Sequence, residues 1–344
     1  MINTWKSLNL NSKHDGLQVS IEIERRWHEA EHIPNLFRYK LNVRKERVLE
    51  GNYGFLLHLN VERGFLRRKP MAIESLRPSF DPTQFNFSKS RPEERLLDLR
   101  FEDFDVAILV NVSPITKFHC LIVPGLHDNL PQVLTHDAIK FSIRLLRILN
   151  SSKYKIGYNS PGAAASVNHL HLHLIHMNDE FFAQRAELTK IRSGIYCFNQ
   201  EYEIKAFCFL LRRLSDDEHE SEVAEKVYKL VRYMIDNGIP HNLFFTLAKH
   251  KEERVMRIIV YPRDKMCALK STTDLNIAFC ELSGFLPLSN EKHFTQLTEA
   301  ELLEAIKDQQ CDAFDRLLVK VKDSAFYPHT RPRLSTVANM RDDY

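Results

Sequence analysis

Three histidines alternate with single leucines in the run His169-Leu170-His171-Leu172-His173, and this run is best placed to do chemistry. A strand with that alternation would turn three imidazoles to one face and place the leucines in a core. Because imidazole is costly to bury without partners, three in register indicate a functional site. The histidines at other positions, such as His127, His136 and His176, are interpreted as structural.

Two kinds of chemistry suit such a face. Two imidazoles on one strand can chelate zinc with a third ligand from elsewhere, or one imidazole can attack phosphorus directly. A turn of small residues at 159–168 precedes the run, and its backbone amides could approach phosphate oxygens closely. The nearest acidic residues are Asp179 and Glu180, so carboxylates that would complete a zinc site are scarce. These neighbours favour a nucleophilic His171, and a zinc hydrolase remains the alternative.

Strands and helices that would hold the run in place are predicted from apolar patterns. Short stretches rich in Val, Ile and Phe predict strands, and apolar stripes at helical spacing predict helices. Thr135, the capping box from Ser215 to Glu218, and Thr298 mark three helix starts. The predicted strands cover 54–61, 105–112, 119–123, 243–247 and 255–261, and the first two predicted helices cover 135–150 and 215–238.

The segment 62–95 differs from its surroundings. Its four prolines exclude long regular elements, while Phe80, Phe85 and Phe87 are too apolar for a solvated linker. A loop of this length and composition is more often functional than idle. The basic run from Arg67 to Lys69 lies in it, and we interpret it as a solvated loop, with an anion site as the alternative.

Composition limits the classes of protein that fit. The 344 residues are 44% hydrophobic, which is enough for a large core. Lys and Arg number 48 against 45 Asp and Glu, so no nucleic-acid partner is expected. Six scattered cysteines predict reduced thiols in a cytoplasmic protein. The first thirty residues have no apolar block of signal-peptide length and no stretch approaches the length of a membrane span, so we expect neither secretion nor membrane insertion.

At this point the chain resembles the histidine triad superfamily. Asn111-Val-Ser-Pro114 and Phe118-His119-Cys-Leu-Ile-Val-Pro124 match its strand pair. The length is similar to that of the branch that includes galactose-1-phosphate uridylyltransferases, and within it to the GDP-D-glucose and GDP-L-galactose phosphorylase group. Further segments carry that likeness: Leu59-Asn60 through Arg63 to Pro70, Phe80-Asp-Pro82, Phe85-Asn86-Phe87-Ser88-Lys89, Ile258 to Arg263 and Cys280 to Gly284.

The resemblance implies an α+β fold, an antiparallel sheet with packed helices, duplicated into two related halves. Residues 1–330 would form one double-sized unit, with a catalytic half at about 50–190 and a degenerate half at about 195–330. Residues 331–344 would be a flexible tail. A weak strand-strand-helix-strand repeat between 105–175 and 205–262 agrees with duplication.

The resemblance also implies roles for site residues. His171 would be the nucleophile, His119 would orient the triad by bonding toward His173, Asn111 would contact ribose, and Ser166 would bind the α-phosphate. His169 and His173 would be catalytic residues beside His171, by neutralising charge around the phosphate oxygens. Further candidates for binding phosphates, sugar or guanine complete the set: Asn168, Arg63, Arg67, Arg68, Phe80, Phe85, Asn86, Phe87 and Lys89.

The implied reaction converts GDP-glucose and inorganic phosphate to glucose 1-phosphate and GDP through a guanylyl-histidine, without cofactor or metal. A homodimer is also implied. The chain departs from the group at Ile175-His176-Met177 and at Phe285, where tyrosines and a histidine are typical. Two alternatives therefore stay open beside the phosphorylase: a nucleotide-sugar or dinucleotide hydrolase, possibly zinc-dependent, and a noncatalytic protein that binds GDP-sugars.

Overall fold

The computed structural model describes residues 7–9, 16–271 and 275–327. A large sheet with helices on both faces organises the fold, and it is antiparallel except for one parallel pair at an edge. The strands are β1 Ser7–Asn9, β2 Lys45–Val48, β3 Leu56–Leu59, β4 Arg95–Phe101, β5 Phe104–Val110, β6 Cys120–Pro124, β7 Tyr154–Asn159, β8 Leu172–His176, β9 Leu188–Arg192, β10 Ile195–Phe198, β11 Phe207–Leu211, β12 His241–His250, β13 Glu253–Pro262 and β14 Phe285–Leu288. The helices are α1 Gly16–Glu31, α2 Val61–Leu66, α3 His136–Leu149, α4 Phe182–Arg185, α5 Asp217–Asp236, α6 Phe279–Ser283, α7 Glu291–Gln296, α8 Glu299–Gln310 and α9 Ala313–Lys322.

The strand order of the large sheet repeats itself. It runs β1-β4-β5-β6-β8-β7-β12-β13-β11-β10-β9, and β7 and β12 join its two parts. The first part has the chain order β4, β5, β6, α3, β7, β8, and the second has β9, β10, β11, α5, β12, β13. In each part the fifth strand inserts between the third and the fourth. The two parts therefore share one topology. The predicted tail at 331–344 lies outside the described residues.

Two apolar layers cover the faces of the sheet. On one face, α1, α3 and α5 pack on a core that contains Leu170, Leu172 and Leu174 from the histidine run. On the other face lie α4, α6, α8 and a small sheet in the order β14-β3-β2. The leucines thus enter the core, as the alternation predicted, and His173 faces the opposite layer.

The predicted strands and two predicted helix starts are confirmed, with small shifts of their ends. Thr135 caps α3, because its Oγ1 accepts from the backbone N–H of Ala138 at 3.2 Å. Thr298 and Glu301 form a capping box at the start of α8. The segment 62–95 contains α2 and two short 3₁₀ turns, with long stretches of irregular chain between them.

Three details of the prediction were wrong or missing. The N-cap of α5 is Asp216 rather than Ser215, because its carboxylate accepts from the His219 N–H at 2.9 Å. The predicted strand of the histidine run begins only at Leu172. The N–H of Leu170 donates to the carbonyl oxygen of Leu130, which lies in a loop, so no strand pairs with the chain at this point. Helix α1 was not predicted at all.

Candidate active site

The imidazoles of His171 and His173 face an open cleft. The start of β8 forms one wall, the end of β5 with the following turn forms a second, and α2 with the chain after it forms a third. Helix α6 closes the remaining side. Predicted residues that line the cleft together are Arg63, Arg67, Arg68, Phe87, Asn111, His119, Ser166, His171 and His173.

His171 is held as a neutral imidazole with one defined tautomer. Its Nδ1 lies 2.8 Å from the carbonyl oxygen of His169, and because a carbonyl only accepts, Nδ1 carries the proton. The lone pair therefore sits on Nε2. Burial lowers the pKa of His171 to about 4, and the charge of Arg68 adds to that effect. At neutral pH this side chain is an uncharged nucleophile with its proton already on the far nitrogen.

The backbone of His171 is fixed by the side chain of Gln132. The amide oxygen of Gln132 accepts from the His171 N–H at 2.9 Å, and its nitrogen donates to the His171 carbonyl at 3.1 Å. The same nitrogen donates to the carbonyl of Asn159 at 3.0 Å. Gln132 thus replaces a neighbouring strand and ties the histidine run to the end of β7.

A chain of hydrogen bonds orients His173. The backbone N–H of Ile115 donates to Nδ1 of His119 at 3.1 Å, so the His119 proton is on Nε2. That Nε2 lies 3.1 Å from both His173 Nδ1 and Asn111 Nδ2, and only the former can accept. His173 consequently carries its proton on Nε2. Burial lowers the pKa of both histidines well below the ordinary value, so each is neutral.

Phe279, at the start of α6, supports the other side of His173. The two rings stack with centroids 5.5 Å apart and an angle of 30° between their planes. Gly157 lies opposite His173 in the β7–β8 ladder, and a Cβ there would lie 2.1 Å from the Phe279 ring. Only glycine leaves room for the aromatic ring that packs against the imidazole.

Several cations enter the cleft from the segment after β3. Arg63 donates to the Ser113 carbonyl at 2.6 Å and to the Tyr39 hydroxyl at 3.1 Å. Arg68 lies over the Phe85 ring at 3.5 Å. Burial lowers the pKa of Arg67 to about 10, and Arg63 contributes to that shift. This basic run lines the cleft, so we revise its interpretation as a solvated loop.

Six predicted site residues do not line the cleft. Among them, Phe80 packs edge-on against His169, with ring centroids 5.4 Å apart. His169 is fully buried, and its Nδ1 accepts from the Phe87 N–H at 3.0 Å. Asn168 donates to Ser79 O and accepts from Gln132 N, so both of its polar atoms are occupied. Phe85 lies beneath Arg68 rather than at the cleft surface. Asn86 is buried and bonds within its own loop, and Lys89 donates outside the cleft to Thr83 O and Gln84 O.

The turn at 159–168 borders the histidines, and Ser166 and Ala164 line the cleft there. Gly162 and Ala164 adopt φ values of 72° and 66°, a tight conformation that small residues tolerate. Asn242 holds the turn by donating to Ala163 O at 2.8 Å.

Four residues of the site were not predicted: Gln132, Lys270, Phe279 and Glu281. Lys270, Phe279 and Glu281 lie about a hundred residues beyond the triad, and no local spacing identifies them. Only the likeness of the segment from Cys280 to Gly284 pointed to this part of the chain.

The departures from the group pattern lie outside the cleft lining. His176 packs edge-on against Tyr154 and Phe118, and Phe285 stacks on Phe181 in the core. Ile175 is fully buried. Across the described ranges, no group of three or more His, Cys, Asp and Glu side chains is arranged to hold a metal ion. In the same part of the chain no helix has the length and apolar character needed to cross a membrane.

Comparison with known proteins identifies the family. Residues 20–175 match the GDPGP1-like N-terminal domain, and residues 181–315 match the GDPGP1-like C-terminal domain. The chain is 34% identical to GDP-D-glucose phosphorylase 1 of Danio rerio, over 79% of this chain and 81% of that protein. It is also 34% identical to the human protein of that name, over 79% and 74% of the two chains.

A comparison with solved structures confirms the α+β fold class. A yeast Ap4A phosphorylase, Apa2, solved with AMP, superposes with a TM-score of 0.60 at 16% identity and covers 86% of this chain and 97% of its own. At that identity the likeness concerns the fold alone. Because both family models match in order and the vertebrate relatives align over most of their length, the chain belongs to the GDP-D-glucose phosphorylase family.

Proposed function

We propose that this chain is a GDP-D-glucose phosphorylase that transfers a guanylyl group through His171. The observation that carries the proposal is the single tautomer of His171, with Nδ1–H on the His169 carbonyl and the Nε2 lone pair available at the cleft. The names of the relatives supply the substrate. A neutral, oriented imidazole supplies the nucleophile that such a transfer requires.

In the first step, His171 Nε2 forms a bond to the α-phosphorus of GDP-glucose while the bond to the bridging oxygen breaks. Glucose 1-phosphate leaves with that electron pair. The leaving group is a phosphate whose second pKa is about 6, so no strong general acid is required. The guanylylated imidazole carries a positive charge, which the His169 carbonyl stabilises through the Nδ1 proton.

In the second step, inorganic phosphate attacks the same phosphorus on the face opposite the P–N bond. The electron pair of that bond returns to Nε2, and GDP is released. Two in-line displacements at one phosphorus restore its original configuration. Catalysis then depends on positioning and on charge neutralisation around the nonbridging oxygens.

The remaining roles follow from which side chains line the cleft. Asn111, whose orientation is set by the Ser113 N–H at 2.9 Å, would contact ribose. Ser166 would donate to the α-phosphate, and the Nε2 proton of His173 is a second donor. Arg63 and Arg68 would neutralise phosphate charge. His169 acts as a positioning residue that joins Phe87 to the histidine run.

Chain organisation is a separate part of the proposal. We base a duplicated fold, with a catalytic first half and a degenerate second half, on the repeated strand order of the large sheet. A homodimer and a cytoplasmic location are implied by the family resemblance and by composition, and both stay predictions.

Intact-protein mass spectrometry tests the function. The chain is mixed with GDP-glucose and a chelator in phosphate-free buffer, and the expected result is an added mass of one GMP per chain. Added phosphate should remove the adduct and release GDP. Tight nucleotide binding without an adduct would refute the mechanism: activity lost on chelation would then indicate a zinc hydrolase, and binding without turnover a noncatalytic protein.

A further inference from the structure

The cleft continues beyond the histidines into a polar annex. Arg63, Arg67, Lys270 and Glu281 line both the cleft and the annex, and Asn276 and His293 line its far end. Three cations and one carboxylate thus surround the passage between the two spaces. Three cationic side chains on one cavity wall favour a small polyanion as the ligand.

These charges are spaced apart rather than paired. Burial lowers the pKa of Lys270 and raises the pKa of Glu281, and the charge of each group opposes the shift of the other, which favours the ionised forms of both. Among the described residues, neither Lys270 nor the two arginines forms an ion pair with Glu281. Arg63 and Arg67 donate instead to Ser113 O and Ser271 O, and Glu281 accepts from the Ala278 N–H. The charges therefore stay apart and leave an open space between them.

Glu281 is held rigidly next to the reacting histidines. One of its carboxylate oxygens accepts from the Ala278 N–H at 2.9 Å, which fixes the side chain across the first turn of α6. Phe279, in the same turn, stacks on His173. Only 7% of Glu281 is exposed. Lys270 lines the same cleft as His173, and its charge helps to lower the pKa of that histidine.

We propose that Lys270, with Arg63 and Arg67, forms the subsite for the acceptor phosphate, and that Glu281 selects hydrogen phosphate by accepting its remaining proton in a hydrogen bond. The inference rests on the proposed phosphorylase function and extends it to two residues with no assigned role. At neutral pH hydrogen phosphate is a dianion that still carries one O–H, whereas sulfate is a dianion of similar shape without one. A carboxylate only accepts, so it stabilises the first and repels the second.

The reaction with hydrogen phosphate needs no proton transfer. An unprotonated oxygen of hydrogen phosphate bonds to the α-phosphorus, and the P–N bond to His171 breaks with its electron pair returning to Nε2. The proton stays on its own oxygen and becomes the P–OH of the β-phosphate of GDP. Glu281 therefore acts as a specificity-determining residue, and Lys270 neutralises the incoming charge.

The test uses preformed adduct, so that binding of the acceptor is measured apart from formation of the guanylyl-histidine. Wild-type, Lys270→Met, Lys270→Arg and Glu281→Gln chains are each loaded with GDP-glucose and freed of small molecules. Discharge is then followed against phosphate concentration and in water alone. Lys265→Met is the matched control, since that lysine is exposed and pairs with Asp308 away from the cleft.

Lys270→Met should raise the half-saturating phosphate concentration about tenfold or more, the contribution of one charge-assisted hydrogen bond. The rate of hydrolysis in water should stay unchanged, and Lys270→Arg should recover part of the loss. An equal loss in the water and phosphate reactions would indicate a structural role and overturn the assignment of Lys270. A tenfold effect in Lys265→Met would do the same.

Inhibition by sulfate tests whether Glu281 selects hydrogen phosphate. It should compete weakly with phosphate in the wild type and become a competitive inhibitor in Glu281→Gln, because glutamine can donate a hydrogen bond. Glutamine also keeps an oxygen for the Ala278 N–H, so the fold should persist. Strong sulfate inhibition of the wild type, or a Glu281→Gln chain that still rejects sulfate, would overturn the proposal. If no chain forms an adduct, the proposed function itself fails, and this inference fails with it.

Discussion

The carbonyl oxygen of His169 lies 2.8 Å from Nδ1 of His171, and this contact sets which nitrogen of His171 can react. The donor is a ring N–H and the acceptor belongs to the backbone two residues earlier, so the tautomer depends on local chain geometry. The consequence is that removing the His169 side chain leaves this contact in place, whereas removing the His171 side chain removes the nucleophile.

His171→Ala should abolish the guanylyl adduct and lower turnover by a factor on the order of 10⁴ or more, as loss of a catalytic nucleophile does. Intact-protein mass spectrometry and release of glucose 1-phosphate measure the two effects. His176→Ala is the matched control, because His176 ends β8, the strand that directly follows His171, and lies outside the cleft lining. Normal turnover in His171→Ala would refute the mechanism.

Ser166→Ala should slow adduct formation by about 10- to 100-fold without preventing it, because one donor to the phosphate oxygens is lost while the nucleophile remains. Single-turnover formation of the adduct gives the rate directly. An effect as large as that of His171→Ala would argue against a supporting role for Ser166.

Gln132→Met should destabilise the fold by about 1–3 kcal/mol, since the N–H and carbonyl of His171 lose their partners in a buried place. It should also slow adduct formation, because His171 loses its fixed position. Gln184→Met is the matched control: Gln184 is equally buried and bonds Phe181 N and Leu247 O, away from the cleft.

Urea unfolding measures the loss of stability, and the rate of adduct formation measures the loss of positioning of His171. Both variants should lose stability, and only Gln132→Met should lose rate. If the two variants slow the reaction equally, the hydrogen bonds from Gln132 to His171 have no specific role in positioning the nucleophile.

Sequence reasoning worked where the determinants are local. The alternating leucines and histidines, Thr135 and the Thr298 capping box involve residues within a few positions of one another. The hydrogen bonds from Gln132 to His171 and the places of Lys270 and Glu281 in the site could not be predicted, because they depend on contacts between residues far apart in the chain. Helix α1 was missed although its buried face recurs at helical spacing, because charged residues fill the positions between.

Stability should fall as the pH is lowered from about 6.5 toward 4, because burial lowers the pKa of His169, His171 and His241 to about 4 in the folded chain. In that window the unfolded chain holds protons that the folded chain does not, so the free energy of unfolding rises with pH. The stabilisation is complete above the unfolded pKa.

His241→Gln should make this pH dependence shallower, because His241 is fully buried. The exposed His32 supplies the matched control, His32→Gln, which should leave the slope unchanged. Urea midpoints between pH 4 and pH 7 measure the effect. A midpoint that stays constant over that window would contradict the assignment of neutral, buried histidines.

Gly157→Ala should damage the site through Phe279. The added Cβ would lie 2.1 Å from the Phe279 ring, so the ring must move away from the position in which it stacks on His173. Overpacking of this kind costs about 1–3 kcal/mol. Adduct formation should slow together with the loss of stability, because His173 loses a wall of its pocket.

A second substitution tests whether the loss comes from the clash with Phe279 or from any side chain added at position 157 of β7. Gly157→Ala combined with Phe279→Leu should regain most of the lost stability, since the smaller side chain frees the space, while the rate stays low without the ring on His173. Gly64→Ala is the contrast, because its Cβ would meet only the Ser289 side chain at 3.1 Å. Additive losses of stability in the Gly157→Ala/Phe279→Leu chain would show that the two residues do not compete for one space, and that the stacking on His173 does not depend on glycine at 157.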